Sequence, residues 1–155
     1  MKFSFRWMPR NLIAAAQSVL AVLSMLFMFL PFVSLSASGT KYGSWSGYEA
    51  FFGTGGENVG SPVGVLLFFA LLVLALLPWL PCFLQNDRLA DVVSGAEGML
   101  SLVCAVGFFF SSTKLVLDTY TATFTHPHVG SILCGLMMLT VGAGSVLPLI
   151  FGDDK

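Results

Sequence analysis

Apolar residues run along this chain in long uninterrupted stretches. Residues 12–33, "LIAAAQSVLAVLSMLFMFLPFV", carry no charge, and neither do residues 62–84, "PVGVLLFFALLVLALLPWLPCFL", or 129–151, "VGSILCGLMMLTVGAGSVLPLIF". A helix rises about 1.5 Å per residue, so crossing a hydrocarbon core of about 30 Å takes about 20 residues. Each stretch is long enough. A fourth, from Gly98 to Thr113, is shorter, but Glu97 and Lys114 at its ends have stems that reach an interface. Counted from about Gly95 to Leu115 it suffices, with a re-entrant segment as the alternative. The pattern predicts an all-α membrane protein: a four-helix transmembrane bundle in one domain, residues 1–155. The spans fall at about 12–33, 62–84, 95–115 and 129–151, with a long first extracellular loop at 34–61.

Polar residues punctuate these runs with recognisable signals. Ser61-Pro62 sets a capping side chain before a proline at the first helical position, where a missing N–H costs nothing. Thr125-His126-Pro127 offers the same start to the last helix. Pro78 and Pro81 bracket Trp79 and predict a kink or unwinding there. In the outer loop, "SLSASGTKYGSWS" alternates modestly and predicts a small hairpin turning at "SGT". "SGYEAFF" follows, with Ser46 and Glu49 at the offset of a capping box, which predicts a turn or two of helix. The Gly-rich "GTGGENVG" lacks the Lys-Ser/Thr of a phosphate loop and reads as a return into the second span. "QNDRLADVVS" reads as the short cytoplasmic loop between the second and third spans. "KLVLDTYTATFTHPHV" reads as an outer cap on the bundle.

Composition sharpens the class. The chain is 56% hydrophobic and 10% charged, against about 25% charged in soluble domains. A net charge of −1 gives no electrostatic reason to expect nucleic acid. Of the seven Lys and Arg, five (Lys2, Arg6, Arg10, Arg88 and Lys155) fall on the side holding both termini. Only Lys41 and Lys114 face the other way, so both termini are expected in the cytoplasm and the protein in the plasma membrane. Trp7 and Trp79 suit the aromatic belt on that inner side. The first apolar run exceeds a signal-peptide core of about 7–15 residues and is read as an uncleaved helix. Cys82, Cys104 and Cys134 are odd in number, lack a CxxC pair and sit in or beside the spans, so neither a disulfide framework nor a zinc site is expected.

Few residues carry candidate chemistry. Ser94 and Glu97 have capping-box spacing before an apolar run, which makes the acid a structural peg at a helix start. The functional alternative places Glu97 and Gln17 at similar depth from one face, an intramembrane polar site able to take a proton or cation. Ser94, Gly98, Ser101 and Ala105 form a small-residue stripe that lets the third helix pack closely and lie centrally. Ala14, Ser18 and Ala21 on the first helix, and Ser131 and Gly135 on the last, are lesser stripes of the same kind. Trp45, Tyr48, Phe51 and Phe52 form a candidate outer contact surface. His126 and His128 bracket a proline at a spacing unlike a helical zinc pair, and no metal site is expected. No cofactor fingerprint and no catalytic constellation is present.

In topology the layout resembles claudin-like and tetraspanin-like proteins. Trp45 is present, but the loop lacks their cysteine pair and no Cys-Cys-Gly follows. The "SGYEAFFG" turn after a first helix is similar to one in small uncharacterised four-span bacterial integral membrane proteins. That resemblance covers the first half of the chain and implies no activity and no site residue. The expectation is therefore a non-enzymatic interaction, assembly or accessory subunit, with membrane lipid and another membrane protein or itself as partners. The alternative is a small transporter or channel component using Glu97 and Gln17.

Overall fold

A computed structural model describes residues 10–37, 40–53, 60–80, 87–110 and 124–151. In chain order the elements are α1 (Arg10–Phe27), β1 (Pro31–Ala37), β2 (Thr40–Ser46) and α2 (Gly47–Phe52). They are followed by α3 (Pro62–Leu76) with a 3₁₀ turn at Leu77–Trp79, α4 (Asp87–Phe109), β3 (Phe124–Pro127) and α5 (Val129–Phe151). Among the described residues three helices are long and apolar enough to cross a membrane: Pro62–Trp79, Leu89–Phe109 and Val129–Val146. The apolar part of α1, Leu12–Phe27, is shorter. The long helices pack as a ring in which α1 touches α3 and α5, and α4 touches the same two; the α4–α5 seam is the most extensive.

The apolar run expected to be one helix over 12–33 has two fates. Leu30 precedes a proline, which disfavours helical geometry, and Pro31 has no N–H to continue the ladder. α1 therefore ends at Phe27, and its last turns tighten to i→i−3 bonds: Met28 N to Met25 O at 3.2 Å, and Leu30 N to Phe27 O at 3.0 Å. With Met28 diverted, the Ser24 carbonyl takes the Cys134 thiol of α5 as its donor, at 3.2 Å. Cys104 and Cys134 are free and buried, and Cys82 lies outside the described residues. Phe32 and Val33 then continue the apolar run as strand, both fully buried.

Segments between the helices make a sheet, so the expectation of an all-α chain is corrected to a mostly helical one with a small sheet. β1 pairs antiparallel with β2 from Pro31↔Ser46 to Ala37↔Thr40, as the expected hairpin does; its turn at residues 38 and 39 lies outside the described residues. β3 adds to the other edge of β1, with Ser34 opposite His126, giving the order β2-β1-β3. Thr125, His126 and Pro127 are thus strand residues and not the cap of α5. His128 leads into that helix instead: its N–H donates to Phe32 O at 3.0 Å, and its carbonyl accepts from Ile132 N and the Ser131 hydroxyl.

Two predicted helix starts form. Ser61 caps α3, accepting from Gly64 N at 3.2 Å with Pro62 at the first position. Ser46 caps α2, where its hydroxyl accepts from Glu49 N at 3.3 Å and its own N–H donates to Glu49 Oε2 at 2.8 Å. Those bonds hold the Glu49 carboxyl below the usual carboxylate range. A helix of six residues cannot hold itself in water, so cap and packing must fix it. Ser46→Ala is expected to cost about 0.5–2 kcal/mol and to raise amide exchange over residues 47–52. The carboxylate's share is present above its unfolded pKa and is lost as pH falls through the lowered folded value. Protection of the Ser46 amide, corrected for intrinsic rate, should fall over that acid range.

α2 roofs the bundle. Phe51 points down, 1% exposed, with its ring 5.3 Å from Phe32 and 6.4 Å from Phe108. Gly64 admits it, because a Cβ there would overlap the Phe51 ring. Phe51 is therefore a core residue and leaves the expected outer surface. Trp45 and Tyr48 are partly buried against the core, and the Tyr48 hydroxyl donates to Met25 O at 3.2 Å, burial pushing the phenol's pKa up. Of that quartet only Phe52 is well exposed, at 46%.

Candidate functional site

The third span was expected at about 95–115, with a loop before it. α4 instead starts at Asp87, because the polar residues Asp87, Arg88 and Asp91 occupy its first turns rather than a loop. Acids there suit the positive end of the helix. Ser94 thus lies two turns inside the helix, where backbone donors are already satisfied, and the Ser94–Glu97 capping box does not form. Glu97 is ten positions into α4, about 15 Å along its axis. The peg reading of this acid is withdrawn on that ground.

What surrounds Glu97 comes from two other helices. Gln17 on α1 is 6% exposed, and its Nε2 donates to Ser145 Oγ of α5 at 2.8 Å, joining residues 128 apart in sequence. Ser145, 2% exposed, donates in turn to Val141 O at 2.9 Å. The carboxyl of Glu97, also 2% exposed, is a hydrogen-bond neighbour of the same Ser145 hydroxyl. Its Oε1 is buried without a partner. Antiparallel packing explains the meeting, since the start of α1, the start of α4 and the end of α5 share one end of the ring. Ser94 is half-buried one turn nearer that end.

The small stripe makes this approach possible. Gly98, Ser101 and Ala105 are buried, and they face α5 within the chain. A Cβ at Gly98 would stand 2.8 Å from Val146 Cγ2, and one at Gly142 would stand 2.7 Å from Ser101 Oγ. Ser101 returns its own hydroxyl to Gly98 O at 2.9 Å. On α1, Ser18 donates to Ala75 O at 2.6 Å and accepts from Trp79 Nε1 at 2.8 Å, which ties the 3₁₀ turn of α3 to the ring. Ser145 was not singled out by sequence. Inside "VGAGSVLPL" a serine reads as one more small packing residue, and only its depth on an antiparallel helix, matching Gln17, could have marked it.

The remaining candidates stay apart from this cluster. His126 is exposed on β3 and His128 half-buried beside it, with a buried, unpartnered Nδ1, at the sheet end of the molecule. Among the described residues no three His, Cys, Asp or Glu side chains converge on one point. Phe29, Tyr48, Phe52, Phe68 and Phe69 form a continuous aromatic cluster on the rim of the roof. Phe29 and Tyr48 are 4.4 Å apart between ring centroids, Phe52 and Phe68 5.2 Å. Phe29 and Phe69 are 68% and 54% exposed. Comparison with protein-family models, curated proteins and solved structures yields no match to this chain.

Proposed function

We propose that the chain is a four-span integral membrane protein, α1, α3, α4 and α5 each crossing once, with both termini on the cytoplasmic side of the plasma membrane. It acts as a non-enzymatic interaction, assembly or accessory subunit of a membrane complex. α1 has 18 residues, about 27 Å of helix, and packs beside two helices of spanning length. The Lys/Arg bias supports the orientation. The observation that carries the role is the aromatic rim at Phe29, Tyr48, Phe52, Phe68 and Phe69. Its rings stack on a roof pinned by a capping box and a buried Phe51, so a partner meets a surface whose ordering is already complete. Tags at the two ends should be accessible from the same, inner face. In mild detergent the native protein should run as a defined complex that Phe29→Ser/Phe52→Ser dissociates while the chain stays folded. A lone monomer before and after that change defeats the proposal.

A second reading is a small transporter or channel component. It is favoured by the unpartnered Glu97 Oε1, because a buried acid among apolar helices is costly unless it has work to do. Flux in proteoliposomes that depends on Glu97 would support it.

A further inference from the structure

We infer that Glu97, Ser145 and Gln17 form a proton-binding site, in which the Glu97 carboxyl takes a proton from, and returns it to, the face where α4 begins. The inference rests on the second reading's location of the site within the membrane and names its ligand.

Glu97 is 2% exposed, its Oε1 has no hydrogen-bond partner, and the described groups that face it from α1 and α5 are neutral. A carboxylate there without a counter-charge is costly, and a proton removes that cost and gives the carboxyl an O–H to donate. Ser145, which donates to Val141 O and accepts from Gln17 Nε2, keeps a lone pair that can receive it.

Nothing positive stands in for that proton among the described side chains. From α1 the site meets the face of Ala14, Gln17 and Ala21, and from α5 it meets Val141 and Ser145, none of them charged. The other titratable side chains described on these elements are Asp91, exposed on α4, Cys104 two turns further along, and Cys134, about three turns from Ser145; Arg10, Asp87 and Arg88 stand at the helix ends, seven to ten positions from Gln17 and Glu97. A hard cation asks for six or more oxygens. Among the described residues no second acid joins Glu97 in a cluster that could hold a metal ion. Half-buried Ser94, on the same face of α4 one turn nearer its start, provides a hydroxyl between the acid and that end.

The test is site-resolved labelling of the full chain in detergent and in liposomes with dicyclohexylcarbodiimide, which reacts with protonated carboxyls in apolar surroundings. The acid's proton moves to a carbodiimide nitrogen and its oxygen adds to the central carbon, with no group leaving. Mass spectrometry should find the adduct on Glu97, at a yield that falls as pH rises. Ser145→Ala, which removes a hydroxyl able to turn and donate to the anion, should move that fall to higher pH. The infrared carbonyl band of a protonated carboxyl should follow the same titration and be missing in Glu97→Gln. An adduct yield and band that stay flat with pH, the absence of both, or protection by sodium at fixed pH would each overturn the proton site. Titration without Glu97-dependent proton flux would retain the site and remove the transport reading.

Discussion

Phe51→Ala is expected to lower stability by about 3–5 kcal/mol, the range for emptying a buried aromatic position. The ring fills the space between the roof and the helix ring, with Phe32 and Phe108 as aromatic neighbours and no Cβ at Gly64 to close behind it. Removing it leaves walls that the capping box and β1 prevent from collapsing. Phe52, its neighbour in sequence, projects outward, and Phe52→Ala should change stability by well under half as much. Thermal or denaturant melts in one mild detergent measure both. Equal losses would mean that α2 does not seat Phe51 as described.

The second large effect is expected at Gly60. Its φ is +82°, a left-handed value costly for any residue with a Cβ, and that atom would sit 2.6 Å from Phe51 O and 2.8 Å from Phe52 C. Backbone on both sides cannot swing away as a side chain can. Strain of about 1–3 kcal/mol adds to overlap of about 1–3 kcal/mol, so Gly60→Ala should destabilise by roughly 3 kcal/mol or more. Ser61 N also donates to Phe51 O at 2.9 Å, so displacing this backbone would lose the link between α2 and the start of α3. Gly95→Ala is the contrast. It lies in helical backbone with open space around the new methyl, and should be neutral or stabilising by up to about 1 kcal/mol. Opposite signs for two Gly→Ala changes are the expected pattern.

These contrasts separate what the chain encodes locally from what only packing creates. The apolar helices at Pro62–Trp79 and Val129–Val146 announce themselves because lipid-length apolar runs have few alternatives, whereas the uncharged run within α4 is shorter and flanked by charge. Ser46–Glu49 and Ser61–Pro62 were legible because caps are local: the partners are within a few residues of each other. β3 was not, since "FTHP" has no pattern of its own and becomes a strand only because β1 presents an edge. The boundary at Phe27 was legible in Pro31 and was outvoted by hydrophobicity. α4's early start was hidden by polar residues that belong on a helix end. The site divided in the same way. Gln17 and Glu97 stand out as polar in apolar surroundings, whereas Ser145 acquires meaning only from the packing of α1 against α5.

The three-stranded sheet also sets an order of events during synthesis. β1 can pair with β2 as soon as both have left the ribosome, yet its other edge must wait until residues 124–127 have been made, some ninety residues later in the chain. Until then an unpaired edge stands open to whatever strand comes first. The closing stitch of the sheet is therefore also a check on the fold, because only a chain whose later helices have packed beside the first can deliver it.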